Sequence, residues 1–567
     1  MGSDDRAGVD FPAGPDGRRS TSATGRAVTA AALGEADPAA AQRAEREANW
    51  RAGYLTHFRA LVEAGLASPA AATGVAALGL DALYRELRAV GPDGTESGLG
   101  TLLTEPARRT LATVQVTGTA PPRTELAVPY RGAVLRGDAL ARQLAAWVAA
   151  GTVEPSFAAA ISEVARHPEW LPLPGRTVAV LGAGAEMGPV GTLLGWGARV
   201  MAVDLPRPAI WERLLTAARA SAGTLLVPTG GAGGTSSGAG TDAGPGPGGA
   251  GTDAARGPDG AGTSAAPGPG GAGGATDDGL LAREAGADLV RDTAAVADWL
   301  IADGADAGSG TGAGSAADTG SGLAAGALVL GNYAYADGAD HVRVAAAADA
   351  LTRRVQAARA NVALAFLATP TDVFAVPGDA VAQSERAYGA RPAVSRLAGD
   401  TLRLASGGRM LRRAYPPGAD PGINDSLVAQ QGPNYALAKR LQRWRATVAR
   451  QDGAIVSLNI APPTRTRSVL KNRALAAAYA GAHHFGVEIF EPATVQVLMA
   501  ALLVYDLHAG DEHADTGPEG DGGASALTHP WQDEAHAAAH GGLWRMAYTP
   551  RSALTIAAAL GYLKSAR

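Results

Sequence analysis

The sequence predicts an α/β protein: a doubly wound parallel sheet with a helical N-terminal region, a helical C-terminal extension and long disordered Gly/Ala/Pro insertions. Three observations predict it. The stretch "VAVLGAGAEMGPVG", Val178 to Gly191, reads as a buried strand, a glycine loop and the opening of a helix. Runs rich in β-branched residues alternate with helically spaced apolar residues on either side of a long interruption, as parallel strands covered on both faces do. That interruption contains no aliphatic residue larger than alanine between Thr229 and Gly279, so it adds nothing to a core.

Composition sets the broad class. At 567 residues the chain is long enough for several domains. The apolar fraction is 46%, much of it alanine, and the formal charge is −5 with no dense basic stripe, which argues against a nucleic-acid partner. Cysteine is absent, so disulfides, thiolate catalysis and Cys-ligated zinc are excluded. The opening "MGSDDRAGVDFPAGPDGRRS" has no apolar core of a secretory signal, and the most apolar run, from Ala493, has the length of an interior helix. The expectation is a cytoplasmic protein with no membrane partner. Arginine is abundant whereas lysine occurs three times, at Lys439, Lys471 and Lys564, so a lysine in a chemically sensible place carries weight.

The elements follow in order. Residues 1–45 are Gly-, Ala- and Asp-rich without periodicity and are predicted to be disordered. Residues 46–170 are mainly helical, with apolar residues three and four apart in "NWRAGYLTHFRALVEAGL", and a short alternating strand near Val114. The sheet domain spans 171–500: "RTVAVLGAG" a strand, "GPVGTLLGWG" a helix, "ARVMAVD" a strand, "PAIWERLLTAARASAG" a helix and "TLLVP" a strand. Two low-complexity linkers, 229–279 and 303–322, lengthen loops; the first carries "GAGTDA" at Gly238 and again at Gly249, and its Gly and Pro density forbids a helix. The sheet resumes at "GALVLGNYAYADG" and continues through "VALAFLATPTDVFAVP", the helix "PNYALAKRLQRWRATVARQDG" and the strand "AIVSLNIAPPTRTRS". Residues 501–567 form the C-terminal extension, with an acidic, Gly-rich break near 509–525.

The glycine loop is the first chemical feature. Gly182 suits a tight turn, Gly184 lets backbone approach a pyrophosphate, Gly188 opens the helix, and the helix start offers free N–H groups. Asp204 ends the next strand 22 residues after Gly182, the spacing of an acid that binds the adenosine ribose hydroxyls. A dinucleotide is therefore expected, NAD rather than NADP because a 2′-phosphate would meet Asp204; Arg207 keeps NADP open. The second feature is Tyr435 and Lys439, a Tyr-x-x-x-Lys pair on one helix face. A neighbouring ammonium would lower the tyrosine pKa and fit the phenol for proton transfer to a carbonyl or from an alcohol.

Together these motifs resemble the short-chain dehydrogenase/reductase superfamily, whose fold is Rossmann-like. In that family the strand after the Tyr/Lys helix ends in Pro-Gly followed shortly by a Thr that contacts nicotinamide. Pro462-Pro463 with Thr464 and Thr466 stand in those places, 27 residues after Tyr435. "NYAY", Asn332 to Tyr335, occupies the site of the family's Asn-Asn-Ala-Gly motif and matches its Asn and Ala. The departures are Glu186 in place of the loop's middle glycine, a second proline for a glycine, and Gly422 at the spacing of the family's catalytic serine. Ser426 lies nearer, and Thr369 and Thr371 follow the preceding strand; the threonine loop is favoured, brought to Tyr435 across an insertion at about 378–425.

The resemblance implies an NAD(P)-dependent oxidoreductase that interconverts a small-molecule carbonyl and alcohol, with Tyr435 as proton donor or acceptor assisted by Lys439, in a homo-oligomer. The alternative is a catalytically inactive NAD(P)-binding sensor or scaffold. Lesser candidates are Arg465, Arg467, Lys471 and Arg473 for an acidic substrate, His536 and His540 for a metal, and His483, His484, Glu488 and Glu491 as pocket lining. No metal is expected.

Overall fold

The computed structural model describes residues 7–230, 272–304, 326–516 and 529–565. The predicted linkers at 229–279 and 303–322, and part of the acidic break at 509–525, lie largely outside the described residues.

Residues 7–45 of the predicted disordered tail are folded, and residues 1–6 lie outside the described residues. β1 (Gly8–Asp10) is followed by α1 (Thr21–Leu33), α2 (Pro38–Glu45), α3 (Trp50–Gly65) and α4 (Pro69–Glu86). Ser20, Asp37 and Ser68 each accept the backbone N–H that opens a helix, and Pro38 and Pro69 stand in first turns, where no N–H is needed. Val9, Phe11, Val28 and Leu33 are buried, which offsets the cost of ordering this small-residue chain. β1 pairs with β2 (Arg88–Val90), and β2 with β3 (Glu96–Gly98).

β4 (Leu111–Thr117), the hairpin of β5 (Val128–Tyr130) and β6 (Ala133–Leu135), α5 (Gly137–Ala150) and α6 (Pro155–Arg166) come next. The central run then contains β7 (Arg176–Leu181), α7 (Val190–Trp196), β8 (Arg199–Val203), α8 (Pro208–Arg219) and β9 (Thr224–Gly230). After the undescribed stretch come α9 (Ala272–Glu284), α10 (Thr293–Asp303), β10 (Ala327–Asn332), α11 (Ala339–Ala358) and β11 (Val362–Ala368). Both ends of the first predicted linker are therefore structured: Thr229 and Gly230 finish β9, and residues from Ala272 are helical. Ala282 and Ala285 at the far end of α9 are fully buried, so packing overrides the glycine penalty.

An excursion follows, made of β12 (Val373–Val376), α12 (Gly378–Gly389), α13 (Ala393–Ala405) and β13 (Gly422–Asp425). It ends at α14 (Gly432–Gln451) and β14 (Val456–Ile460), and the chain finishes with α15 (Arg467–Lys471), α16 (Arg473–Gly481), α17 (Pro492–Thr516), α18 (Pro530–Ala535) and α19 (Pro550–Ser565).

Seven strands form one sheet in the order β14-β11-β10-β7-β8-β9-β4, all neighbours parallel except the β9–β4 pair at one edge. Chain order reverses at β7: β8 and β9 lie on one side, β10, β11 and β14 on the other. Strand residues alternate between two cores. Ala179, Leu181, Met201, Leu328 and Phe366 face α10, α11 and α14, with α1, α3 and α4 outside them. Val178, Val180, Val200, Leu225 and Val329 face α5 to α8 and α17. The sheet is thus buried on both sides, as parallel strands require. One described helix, over Pro492–Ala509, is long and apolar enough to cross a membrane, and 61% of that stretch is buried, packed on β14 and α6.

Candidate functional site at the strand C-termini

Leu181 and Asn332 lie side by side in register, as do Ala368 and Ile460, so the loops leaving β7, β10, β11 and β14 gather at one edge of the sheet. The predicted site residues lie on these loops or on the elements beside them.

In the glycine loop, Gly182 has φ +80°, and a Cβ there would stand 2.5 Å from the Ala334 Cα, so only glycine fits this contact between the loops leaving β7 and β10. Gly182 and Ala183 donate to the Val203 carbonyl, and Gly188 donates to Ala185 to close a turn. Gly184 donates to Asp204 Oδ2 at 2.7 Å, and Leu205 donates to Asp204 Oδ1 at 2.8 Å. Burial pushes the Asp204 carboxyl up despite these two donors. Glu186 faces away from the loop interior: its Oε2 accepts the Arg467 N–H at 3.0 Å, and its carbonyl accepts the Gln496 amide at 2.7 Å.

Tyr435 stands in the first turn of α14, half-buried, with its hydroxyl beside Thr369. Thr369 and Thr371 share a hydroxyl hydrogen bond of 2.9 Å. The excursion between β11 and α14 explains how residues so distant in sequence meet. β12 and β13 pair antiparallel, with Val373 opposite Asp425, so the chain returns to the end of β11 just before α14 begins. Ser426 follows β13, and its hydroxyl bonds the Asn424 side chain; Gly422 lies inside β13.

The Tyr435/Lys439 expectation needs correction. Lys439 Nζ donates to the Leu367 carbonyl and to Gln442 Oε1, each at 3.0 Å, and not to Tyr435. Burial raises the Tyr435 pKa to about 12, the neighbouring Thr369 hydroxyl opposing it, so the phenol keeps its proton at neutral pH. Burial also lowers Lys439 to about 8. Desolvation sets the direction of the Tyr435 shift, and the Lys439 charge that sequence spacing suggested is not among its causes.

The remaining predicted cofactor contacts bond within their own loops. Asn332 is buried and its Oδ1 accepts the Ala334 N–H at 3.3 Å. The buried Thr464 donates to the Pro462 carbonyl at 2.7 Å, and Thr466 caps α15. Arg465 pairs with Glu491, Arg467 with Glu186, and Lys471 and Arg473 are exposed. His483 and His484 are exposed beside each other, and Glu488 accepts from Tyr130 and Arg131. His540 is fully buried and bonded to Glu154 at 2.8 Å; among the described residues no group of three His, Asp or Glu could hold a metal.

Sequence reasoning missed His341. It lies in the first turn of α11, 1% exposed, with its ring 5.0 Å from Tyr335 and 5.2 Å from Tyr435. Both ring nitrogens are buried without a hydrogen-bond partner. Burial, and then the Lys439 charge, lower its pKa to about 3, so the imidazole is neutral. The available signal was its place just after the "NYAY" loop, as the one histidine between His167 and His483.

Also missed were the buried arginines of α14. Arg440 and Arg443 both bond Asp372, at 2.8 and 2.7 Å, and Arg443 reaches Glu534 as well. Burial raises the Asp372 carboxyl, but the two guanidinium groups outweigh it and hold it below the ordinary range. This network fixes the segment that carries Thr369 and Thr371 against α14. A cavity of about 70 Å³ opens beside Thr371 and Tyr479, lined mainly by apolar groups such as Leu475, Val487 and Ile489, with Ser426 and Arg551 as further polar lining. Comparison of the chain with family models, curated proteins and solved structures finds no match.

Proposed function

We propose that the protein is an NAD(P)-dependent oxidoreductase, similar to the short-chain dehydrogenase/reductases, that interconverts a carbonyl and an alcohol on a Rossmann-like sheet. The observation that carries this reading is the placement of the Tyr435 phenol beside the hydroxyls of Thr369 and Thr371 at the end of β11. It pairs a proton-bearing phenol with a second hydroxyl, the two groups needed to hold a carbonyl oxygen and protonate it. The reversal of strand order at β7 supports it, because open α/β sheets bind ligands outside the strand C-termini at such a point.

The residues at the adenosine end fit a dinucleotide. Each Asp204 oxygen takes one backbone N–H, and a carboxylate oxygen has two lone-pair sites, so each keeps a place for a ribose hydroxyl. Gly182 and Gly184 carry no side chain to block the approach, and Arg207 and Arg213 are exposed near Asp204. When bound, the nicotinamide supplies or accepts the hydride. Tyr435 supplies the proton, Thr369 orients the phenol, and the apolar cavity beside Thr371 receives a small apolar part of the substrate.

A second reading, a dinucleotide-binding sensor or scaffold without turnover, is favoured by one observation: Lys439 is turned to Leu367 and Gln442 rather than to Tyr435. Two measurements separate the readings. Thermal shift with NAD(H) and NADP(H) is expected to show stabilisation by one dinucleotide, lost in Asp204→Ala. A carbonyl-reduction screen is expected to show turnover that Tyr435→Phe lowers about 10²–10⁴-fold. No response to either dinucleotide defeats both readings, and binding without turnover leaves the sensor.

A further inference from the structure

The helix α13 is packed with its amphipathic pattern reversed. At about 100° per residue, Val394, Leu397, Ala398, Leu402 and Leu404 share one side of the helix, and Arg396, Gly399 and Arg403 share the other. A surface helix normally turns its apolar stripe inward. Here the buried residue of the helix is Gly399, set against the Tyr548 hydroxyl and Leu411. Val394, Leu397 and Leu404 are 80%, 73% and 84% exposed. The helix thus docks through its glycine and holds its aliphatic stripe out to solvent.

Charge identifies what covers that stripe. Between Arg391 and Arg413 the chain carries six arginines and one acid, Asp400, within a protein of net charge −5. Arg396, Arg403 and Arg409 are exposed, and no ion pair with a carboxylate forms at any of them among the described residues. A second copy of the chain is a poor occupant, since a two-fold contact would bring two strongly basic segments together. A protein groove is also disfavoured: the stripe is aliphatic apart from Thr401 and carries no aromatic side chain, whereas protein hot spots are rich in Trp, Tyr and Arg at their centre.

We propose that α13 docks the protein on an anionic phospholipid surface. Val394, Leu397 and Leu404 enter the boundary between headgroups and acyl chains, and the positive charge of Arg396, Arg403 and Arg409, on the polar side of the helix and just beyond its end, draws the segment to the anionic headgroups. The helix lies on the bilayer and does not span it. The one described helix apolar enough to span, within α17, is packed on β14 and α6. Docking is independent of the reaction proposed above.

The test is flotation of the full chain with vesicles of phosphatidylcholine alone or of an equal mixture with phosphatidylglycerol. The expected result is flotation with the anionic vesicles only, weakening as salt is raised. Leu397→Glu with Leu404→Glu is expected to abolish flotation while leaving the thermal midpoint unchanged, because both side chains are exposed. Arg396→Glu with Arg403→Glu is expected to lower the bound fraction at least about tenfold. The proposal is overturned if the wild type stays with the soluble protein, or if the leucine double variant still floats. It is overturned equally if the wild type shows only a concentration-dependent dimer that the leucine variant disperses, or binds an acidic protein through α13 but no vesicle.

Discussion

Asp204 Oδ2 accepts the Gly184 N–H at 2.7 Å, so the acid at the end of β8 is built into the glycine loop as well as facing any ligand. Replacing it with alanine removes two charge-assisted hydrogen bonds, offset in part by relief of its burial. The expected loss is about 1–2 kcal/mol of stability, read from urea unfolding. Asp204→Asn is expected to fall between, because an amide oxygen can take one of the two N–H groups and the amide nitrogen must face the other. Unchanged unfolding of the alanine variant would show that the loop needs no such anchor.

Asp372 is held between two buried guanidinium groups, 2.8 Å from Arg440 and 2.7 Å from Arg443. Asp372→Asn leaves Arg440 without its carboxylate, and Arg443 with Glu534 alone. The expected cost is about 3–5 kcal/mol. Adding Arg440→Met should restore part of that loss, since it removes the stranded charge. A denaturation midpoint that the double variant leaves as low as the single one would count against this account.

His341 makes the protein acid-sensitive. Its folded pKa is lowered to about 3 from the ordinary 6.5. Between those values the unfolded chain binds the extra proton, so stability is full above pH 6.5 and is lost as pH falls towards 3. His508, lowered to about 4 by burial, acts in the same direction. His341→Phe removes one titration and two unpartnered nitrogens, so it should raise stability at pH 7 by about 1 kcal/mol and flatten the profile between about pH 6 and 4. Equal slopes for wild type and variant, by denaturation at a series of pH values, would contradict this.

Lys439 acts at the alkaline end. Burial lowers its folded pKa to about 8 from 10.5, so between these values the unfolded chain holds more protons and stability rises with pH. Lys439→Met is therefore expected to be more stable than wild type at pH 7, by on the order of 2 kcal/mol after allowing for its lost hydrogen bonds. The advantage should shrink as pH approaches about 10. A gap that stays constant across that range would place the ammonium in solvent.

Six of the seven strands of the main sheet were legible from buried β-branched runs between residues 176 and 460, and the seventh, near Val114, from its alternation. Its membership of the sheet was not legible, because an antiparallel edge strand carries no mark of the partner it will join. The folded start of the chain was misread for a compositional reason: alanine-rich helices show little periodicity, although Ser20 and Asp37-Pro38 were cap signals in plain view. Sequence could suggest that Thr369 approaches Tyr435 but could not establish it, since the approach depends on β12 and β13 closing a long excursion. The arginines of α14 carry no mark of burial in the sequence. Their partners Asp349, Asp372 and Glu534 lie on other elements, and local sequence contains no trace of such pairing.

β4 has a consequence for any attempt to divide the molecule. Its seven residues cover the whole length of β9, from Thr224 to Gly230, yet they come from well before the glycine loop. A fragment beginning at residue 171 would keep every loop of the candidate site and still lack its border strand. The bared β9, "TLLVPTG", would present a ladder of unpaired N–H and C=O groups on an apolar strand, a template for joining other chains. Such a fragment should be recovered as aggregate, and supplying the preceding segment as a separate chain should rescue its solubility.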